Sequence, residues 1–492
     1  MPHLMFNHLY MYNRVRFNRL FVGGDPDVGA ENIRSFWKGV SSRRDPRIQH
    51  HPMMEDERWY DRYLPIAVHA DAISCIRTGC AGSKSLDVIS WHGLLGNGST
   101  LDVKQFVTAI FKQCCVQETM HDAWKAICWS LRAMFEGKWP SKDWKGNSYS
   151  PTSPEYQLAG TELAGGYRAI LWMIKGDLKW FSDDLGMRNV TSLQPCDWCP
   201  CHRIAGGDPT LAVFNFNKCA AWKSKLFSVD EWKAFGSDHP LFAEFSWLSQ
   251  MSVECDELHV LHLGVSQMLL GSVIWTIVYH CMRGTYDANL QQFWTELQSE
   301  YQKLDSGNRY TFFNGSLFHD PLRPRGDFPR LKGRGIEIKH AVEPILEIFQ
   351  RHARVGNIDD KLALGVLSSL VKIQNIFEEH SNDYFLPPGD AATVQRLCDD
   401  FLDGYATLHN RAAGRKDLLW GCLPKHHVFW HLCNRCRFAH PRLGNCCLDE
   451  DYVGKIKQVV VSTSAGLTLH KIPNSLFDKL MWGVSIGKSI AE

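Results

Sequence analysis

The segment GGYRAILWMIKGDLKWFSDDLG, Gly165 to Gly186, decides how this chain is read. Ala169 to Ile174 is an unbroken apolar run of strand length. A strand covered on both faces needs such a run, and strands of that kind belong to parallel sheets. The run ends in a carboxylate, Asp177. Strand ends and the loops beyond them are where an α/β sheet presents its chemistry.

Upstream, LPIAVHADAI sets Ile66, Val68 and Ala70 alternating with Ala67, His69 and Asp71. This period of two predicts a strand that leads to a second carboxylate, Asp71. LDVISWHGLLG, Leu86 to Gly96, is another β-rich run bounded by turn residues. ETMHDAWKAICWSLRAMFEG predicts an amphipathic helix, with Trp124, Ile127, Cys128, Leu131, Met134 and Phe135 on one face. Residues 1–62 read as an irregular N-terminal region, because GGDPDVGAEN is a turn cluster and SSRRDPRIQHHP a polar, basic loop. Downstream, helical periodicity dominates from about residue 220 to 420. Val394, Leu397, Cys398, Phe401, Leu402, Tyr405 and Leu408 form one stripe, and Leu362 to Phe377 is a second, more evenly apolar helix. A last helix opens on the acids Asp449, Glu450 and Asp451.

The order strand–strand–helix–strand, helical block, acidic helix predicts an α/β fold: a mixed-sheet core interrupted by a large α-helical insertion. Two consecutive domains, α/β and then all-α, are the alternative. The expected boundaries are 1–62, a first core part over 63–195, a helical insertion with a Cys/His-rich start over 196–420, and a C-terminal core part over 421–492.

Apolar residues make up 45% of the 492 and charged residues 22%, an ordinary globular balance. The net charge is +1, so no global field draws the protein to nucleic acid or anionic lipid, and any nucleic-acid contact must come from local patches. The start, MPHLMFNHLYMYNRVRF, lacks the apolar core and cleavage site of a secretory signal. The seventeen cysteines are therefore expected in a reducing compartment, where clusters signal metal or catalytic sites. The longest apolar run, MLLGSVIWTIVY from Met268 to Tyr279, is too short to span a bilayer, and no membrane segment is expected.

Four constellations carry candidate chemistry. Asp71 and Asp177 close strands, and two such carboxylates with a third acid can hold two Mg²⁺ ions. A strand-ending Asp also serves as a turn former or helix cap. PCDWCPCHR contains Cys196-x-x-Cys199, half of a zinc site, with Cys201 and His202 beside it and Cys219, Cys255 and His259 as further donors. A redox role would require the motif at a helix start directly after a strand, and the preceding segment is helix-like and polar. CNRC, Cys433 to Cys436, lies in a helical context. Asp256 and His259 stand three apart on one helix face, as metal ligands or as a cap and a satisfied histidine. Finally, Arg323, Arg325, Arg330, Lys332 and Arg334 cluster in a Pro/Gly-rich segment suited to phosphate contacts, or simply to solvation.

Taken in order, these blocks resemble the CACTA-type DDE transposases and the related Plavaka and KDZ elements. IKGDLKWFSDDLGM…LQPCDWCPCH is similar to the family's Asp-bearing strand end followed by Cys-x-x-Cys. CDELHVLHLGVSQMLLGSV resembles the D-x-M-H…LG segment, with Leu258 in place of Met. LPKHHVFWHL resembles the later Lys/His-rich helix, and DEDYVGKIK the final E-R-Y…L-K segment. The likeness runs over roughly residues 64–460.

The resemblance implies an RNase H-like core in which Asp71, Asp177 and Glu450 bind Mg²⁺ or Mn²⁺, with Cys196 and Cys199, read from their spacing as a structural Zn²⁺ site, at the start of the insertion. It implies DNA (transposon ends) as partner, an oligomer of this chain, no membrane, and a nuclear location. The family's Asp-Gly at the first acid is Asp71-Ala72 here, and Asp451 replaces a common Arg, leaving Asp449, Glu450 and Asp451 all open as the third acid. A second reading is an inactive, zinc-stabilised DNA- or protein-binding derivative, in the nucleus or cytoplasm and not secreted. A third is an unrelated helical enzyme with zinc on Cys196, Cys199 and His202.

Overall fold

The computed structural model describes residues 1–24, 26–49, 51–76, 83–318 and 327–463. Along the chain the main elements are α1 (Pro2–Tyr12), α2 (Pro26–Ser42), β1 (Tyr63–Ile76), β2 (Ser83–Gly93), β3 (Gln105–Phe111), α3 (Thr119–Glu136), β4 (Arg168–Lys175), α4 (Leu178–Asp183), α5 (Leu258–Cys281), α6 (Tyr286–Lys303), α7 (Gly335–His352), α8 (Ile358–Glu379), α9 (Pro388–Gly414), α10 (Pro424–Arg435) and α11 (Cys447–Thr463). The chain divides into two compact units. Unit 1 comprises Met1–Asn189, Ser228–Glu254 and Cys446–Glu492; unit 2 comprises Val190–Phe227 and Cys255–Asn445.

Unit 1 is mixed α/β. Among the described residues its sheet has four strands in the order β3-β2-β1-β4. β1 runs antiparallel to β2 and parallel to β4, and β2 runs antiparallel to β3. The pairs Ile73–Leu86, Asp71–Val88 and His69–Ser90 point to one face. Helix α11 covers that face, with Tyr452, Val453, Ile456 and Val460 packed on Leu86, Val88, Ala109 and Phe111. Beyond β4 a single parallel bridge joins Ile174 to Val253, and Ile174 C=O accepts the Glu254 N–H at 3.0 Å.

The unbroken run in β4 is buried as expected. β1 differs from its alternating pattern, because Leu64 through Ala70 are buried on both faces. Residues 1–62 are not irregular. α1 and α2 fold there, and Phe6, Phe17, Phe21, Phe36 and Trp37 are buried. Phe21 stacks on Trp91 of β2, 5.2 Å between ring centroids. Most of the turn cluster, from Pro26 to Asn32, is the start of α2 and not a loop; the glycines Gly23 and Gly24 precede it. Strand β3, absent from the sequence reading, is a short edge strand.

Unit 2 is helical, built from α5 to α10. The apolar run at 268–279 belongs to a longer helix, α5, whose ends are π-helical. By length and composition α5 can cross a membrane, yet 83% of its apolar window is buried, as in a core helix. The expected core boundary at 421 shifts, since α10 belongs to unit 2. The reason lies in its histidines, which meet the cysteines of the 190–227 segment.

Candidate functional site

The segment from Pro195 to His202 has no regular structure, which leaves its side chains free to converge. Cys196 Sγ accepts the Trp198 N–H at 3.3 Å, a turn that folds the sulfur back over the loop. His202 anchors the loop by exchanging backbone hydrogen bonds with Leu211 and Val213, each 2.9 Å. From α10, His427 and His431 project on one face, being one turn apart. His427 Nε2 lies 3.3 Å from Cys199 Sγ, and His431 Nε2 lies 3.4 Å from Cys196 Sγ. Among the described residues, one group of three or more His, Cys, Asp or Glu donors gathers within 4.8 Å: Cys196, Cys199, Cys201 and His427, all buried.

These donors fit zinc. Bond lengths near 2.3 Å to sulfur and 2.0–2.1 Å to nitrogen give tetrahedral edges of about 3.5–3.8 Å, against 3.3 Å from Cys199 Sγ to His427 Nε2 and no more than 4.8 Å across the group. The electrostatics agree. Burial pushes the Cys199 thiol well up. Hydrogen bonds from Cys196 and Cys199 draw the Cys201 thiol down. Burial opposes ionisation of Cys196, yet the hydrogen bond from Cys199 and the neighbouring imidazoles bring it to about 6. Burial also opposes the charge on His427, but the Cys196 thiolate raises it to about 10. Buried thiolates need compensation, and a dication would supply it. His431 is a fifth donor, 3.2 Å from His427 Nε2, and burial lowers its basicity. Trp222 and Trp198 pack on the two imidazoles and close the site to water, with centroids 4.2 Å from His427 and 5.5 Å from His431.

The cluster can hold a metal such as zinc, but its histidine is not the one expected. His202 lies outside the group and its Nδ1 accepts the Ile204 N–H at 3.2 Å, so it shapes the turn. Cys219 is exposed, and Cys255 and His259 are likewise outside the group. Asp256 caps the start of α5, accepting the N–H of Leu258 at 2.9 Å and of His259 at 3.2 Å, and it pairs with the His259 ring. Of the CNRC pair, Cys436 donates to Leu432 C=O at 3.5 Å, and burial pushes both thiols well up. In the basic segment, Arg323 and Arg325 lie outside the described residues. Arg330 is exposed, and Arg334 pairs with Glu337 at 2.7 Å at the start of α7.

The carboxylates belong to unit 1. His69 and Lys175 are level across the parallel β1–β4 pair. Gly176 follows, pressed so close to β1 that an added Cβ would meet Ala70 O at 3.1 Å. Asp177 is extended (φ −84°, ψ 165°), two residues past the end of β4; the paired register ends at His69–Lys175, and Asp71 does not close its strand but lies inside β1, opposite Val88 of β2. Asp177 Oδ1 accepts the Trp180 N–H at 2.6 Å and caps α4. Asp71 Oδ1 accepts the Ala72 N–H at 2.7 Å. On α11, Glu450 is half-buried, and Asp451 is exposed and paired with Lys455 at 2.5 Å.

Asp449 is the acid turned to the sheet. It is fully buried, 2.5 Å from Lys104 Nζ, 2.8 Å from Lys175 Nζ and 3.9 Å from His69 Nδ1. Lys104 also contacts His92 Nδ1 at 3.1 Å. Burial alone would raise the Asp449 carboxyl, but Lys104 and Lys175 hold it well below the usual range. Burial lowers Lys104 to about 8. The sequence reading missed Lys104, Lys175 and His92 and took His69 only as part of the alternation; the available signal was a His or Lys within each of β1, β2 and β4, and none marked Lys104, which lies just before β3.

No protein-family model matches this chain, and no curated protein matches it.

Proposed function

We propose that unit 1 is an RNase H-like core that cuts and joins DNA strands, as in DDE transposases, and that unit 2 is an insertion in that core, stabilised by zinc. One observation carries the reading: Asp71 lies on β1 and Asp177 two residues past the end of its parallel neighbour β4, and the helix that packs on this sheet opens on three acids. The strand order β3-β2-β1-β4, with β1 central and β2 antiparallel to it, suits the same core. Mg²⁺ or Mn²⁺ held by Asp71, Asp177 and Glu450 would activate the attacking water or 3′-hydroxyl and stabilise the leaving oxygen. The chain's own part is rigidity. The paired strands fix the Asp71 backbone. The α4 cap fixes Asp177 through one oxygen and leaves the other to bind. Lys104 and Lys175 lock the start of α11 through Asp449, which sets the place of Glu450.

The test is nicking of supercoiled plasmid with Mg²⁺ or Mn²⁺ by the wild type and by Asp177→Asn. Asparagine caps a helix as well as aspartate does, so this variant keeps the fold while losing the charge. The wild type should nick and Asp177→Asn should fall by a hundredfold or more, on the order of what one misplaced metal ligand costs. Equal rates would sink the proposal.

A second reading, an inactive derivative that binds DNA or protein, is favoured by one observation. Two buried ammonium groups occupy the layer of the sheet next to Asp71 and Asp177, and they engage the nearest acid of α11. Wild-type protein that binds DNA but nicks no faster than buffer would decide for it.

A further inference from the structure

Between α1 and α2 of unit 1 stand two arginines that strand cleavage leaves unused. After α1 the chain makes one helical turn, Arg14–Phe17, and then a π-helical turn, Asn18–Val22. Asn13 opens the first turn by accepting the Arg16 N–H at 3.1 Å. Phe17, Leu20 and Phe21 are buried and anchor both turns. Arg16 and Arg19, three residues apart, fall on one side. The loop after β2 lies against them. Asn97 donates its N–H to Arg19 C=O at 3.2 Å, and Gly96 sits so close to Leu20 O that a Cβ has no room.

Arg16 is only 8% exposed, yet its Nε has no hydrogen-bond partner. Its Nη atoms make no hydrogen bond or ion pair with a described residue either, and they meet solvent. Among the described residues one carboxylate acts on it, Asp102, and both oxygens of that group are engaged. Arg19 Nη2 lies 3.3 Å from Oδ1, and Ser99 Oγ donates to Oδ2 at 2.8 Å. Burial pushes the Arg16 guanidinium down, Asp102 pulls it up, and Arg19 pushes it down again. Two guanidinium groups thus share one carboxylate, and the buried one keeps an uncompensated charge. Such a charge is costly until an anion meets it.

We propose that Arg16 and Arg19 form a phosphate-binding site. A tetrahedral phosphate offers oxygens to two guanidinium forks at once, where chloride offers one point and a carboxylate one edge. Arg16 is the desolvated half of the site. Arg19 is the exposed half and exchanges Asp102 for the ligand. Two sources carry this group: free inorganic phosphate and a phosphodiester of a DNA strand. Only the second rests on the strand-cleavage reading, and the site uses none of Asp71, Asp177 or Glu450.

The experiment is calorimetric titration of the full chain with inorganic phosphate, at an ionic strength held constant with chloride. Wild type should show saturable binding. Arg16→Met should weaken it about tenfold or more, the loss of a charge-assisted contact. Arg19→Gln should weaken it severalfold. Asp102→Asn should tighten it, because the competing charge is gone while the amide oxygen still accepts from Ser99. Without phosphate, Arg16→Met should unfold in urea no earlier than wild type, since the charge it removes has no partner. A purely structural arginine would lose stability there. No saturable binding by wild type, or equal affinity in Arg16→Met and Arg19→Gln, overturns the site. Arg19 is on the surface, so its variant decides even if Arg16→Met folds poorly. Anisotropy of a labelled DNA duplex separates the sources. If the phosphate is a phosphodiester, Arg19→Gln lowers duplex affinity and reduces the slope of log affinity against log salt by about one. Unchanged duplex binding beside weakened phosphate binding assigns the site to free phosphate and overturns the DNA source. Equal nicking by wild type and Asp177→Asn sinks the cleavage reading and leaves the phosphate titration standing.

Discussion

Asp449 shows how one side chain can decide the state of a face. Removing one partner of a buried, hydrogen-bonded ion cluster leaves the others charged without compensation. Asp449→Asn should therefore lose about 3–5 kcal/mol in urea unfolding at neutral pH. Its folded-state pKa lies below that of the unfolded chain. The contribution is thus complete above the ordinary carboxylate value of about 3.9 and fades as pH falls through the folded value. The gap between wild type and variant should be widest near neutrality and should narrow as the pH falls below about 3.9; a constant gap would show that Asp449 acts by shape alone. At the metal cluster, Cys199→Ser replaces a thiolate with a poor zinc ligand. Metal analysis should find about one zinc per wild-type chain and far less in this variant.

At the scale of elements, the cap on α4 separates two duties of Asp177. Asp177→Ala should lose about 1 kcal/mol of stability and Asp177→Asn almost none, while both lose nicking. Gly271 is set by neighbouring backbone, not by turn conformation. Gly271→Ala should cost about 1–3 kcal/mol, since Arg330 cannot move without shifting its whole segment. The elements legible in the sequence were those with a strong local signal. The buried run of β4 and the alternation in β1 marked their strands, and the stripes of α3, α8 and α9 marked their helices. β3 escaped because it is short and lies at an edge, with Ala109 and Phe111 buried among half-buried neighbours. α2 escaped because a turn cluster overlaps its first turns, and α1 because His and Asn are mixed through its apolar residues. The cysteine loop was legible as half a site and no more. Its histidine lies 228 residues away along the chain, and ligand spacing in a sequence reaches only neighbours.

Over the whole molecule, the α/β beginning and helical middle were visible as a change in periodicity. The return of α11 to the core was expected from the order of the blocks; which of its acids turns to the sheet was not readable, because that depends on how the helix sits on β1 and β2. The two units predict two calorimetric transitions where a single domain would show one. A strong chelator should lower the transition of unit 2, which holds the cysteine cluster, and leave that of unit 1 in place. One transition, moved as a whole, would show that the units unfold together. Lys104 and Asp449 are 345 residues apart. At a synthesis rate of roughly 5–20 residues per second, the lysines of the growing sheet wait on the order of 20–70 seconds for their counter-charge. Through that interval the nascent face of β1 and β2 is open, apolar and cationic at its centre. A message truncated before α11 would release a chain whose sheet has no lid, a substrate for chaperones and proteases from the moment it leaves the ribosome.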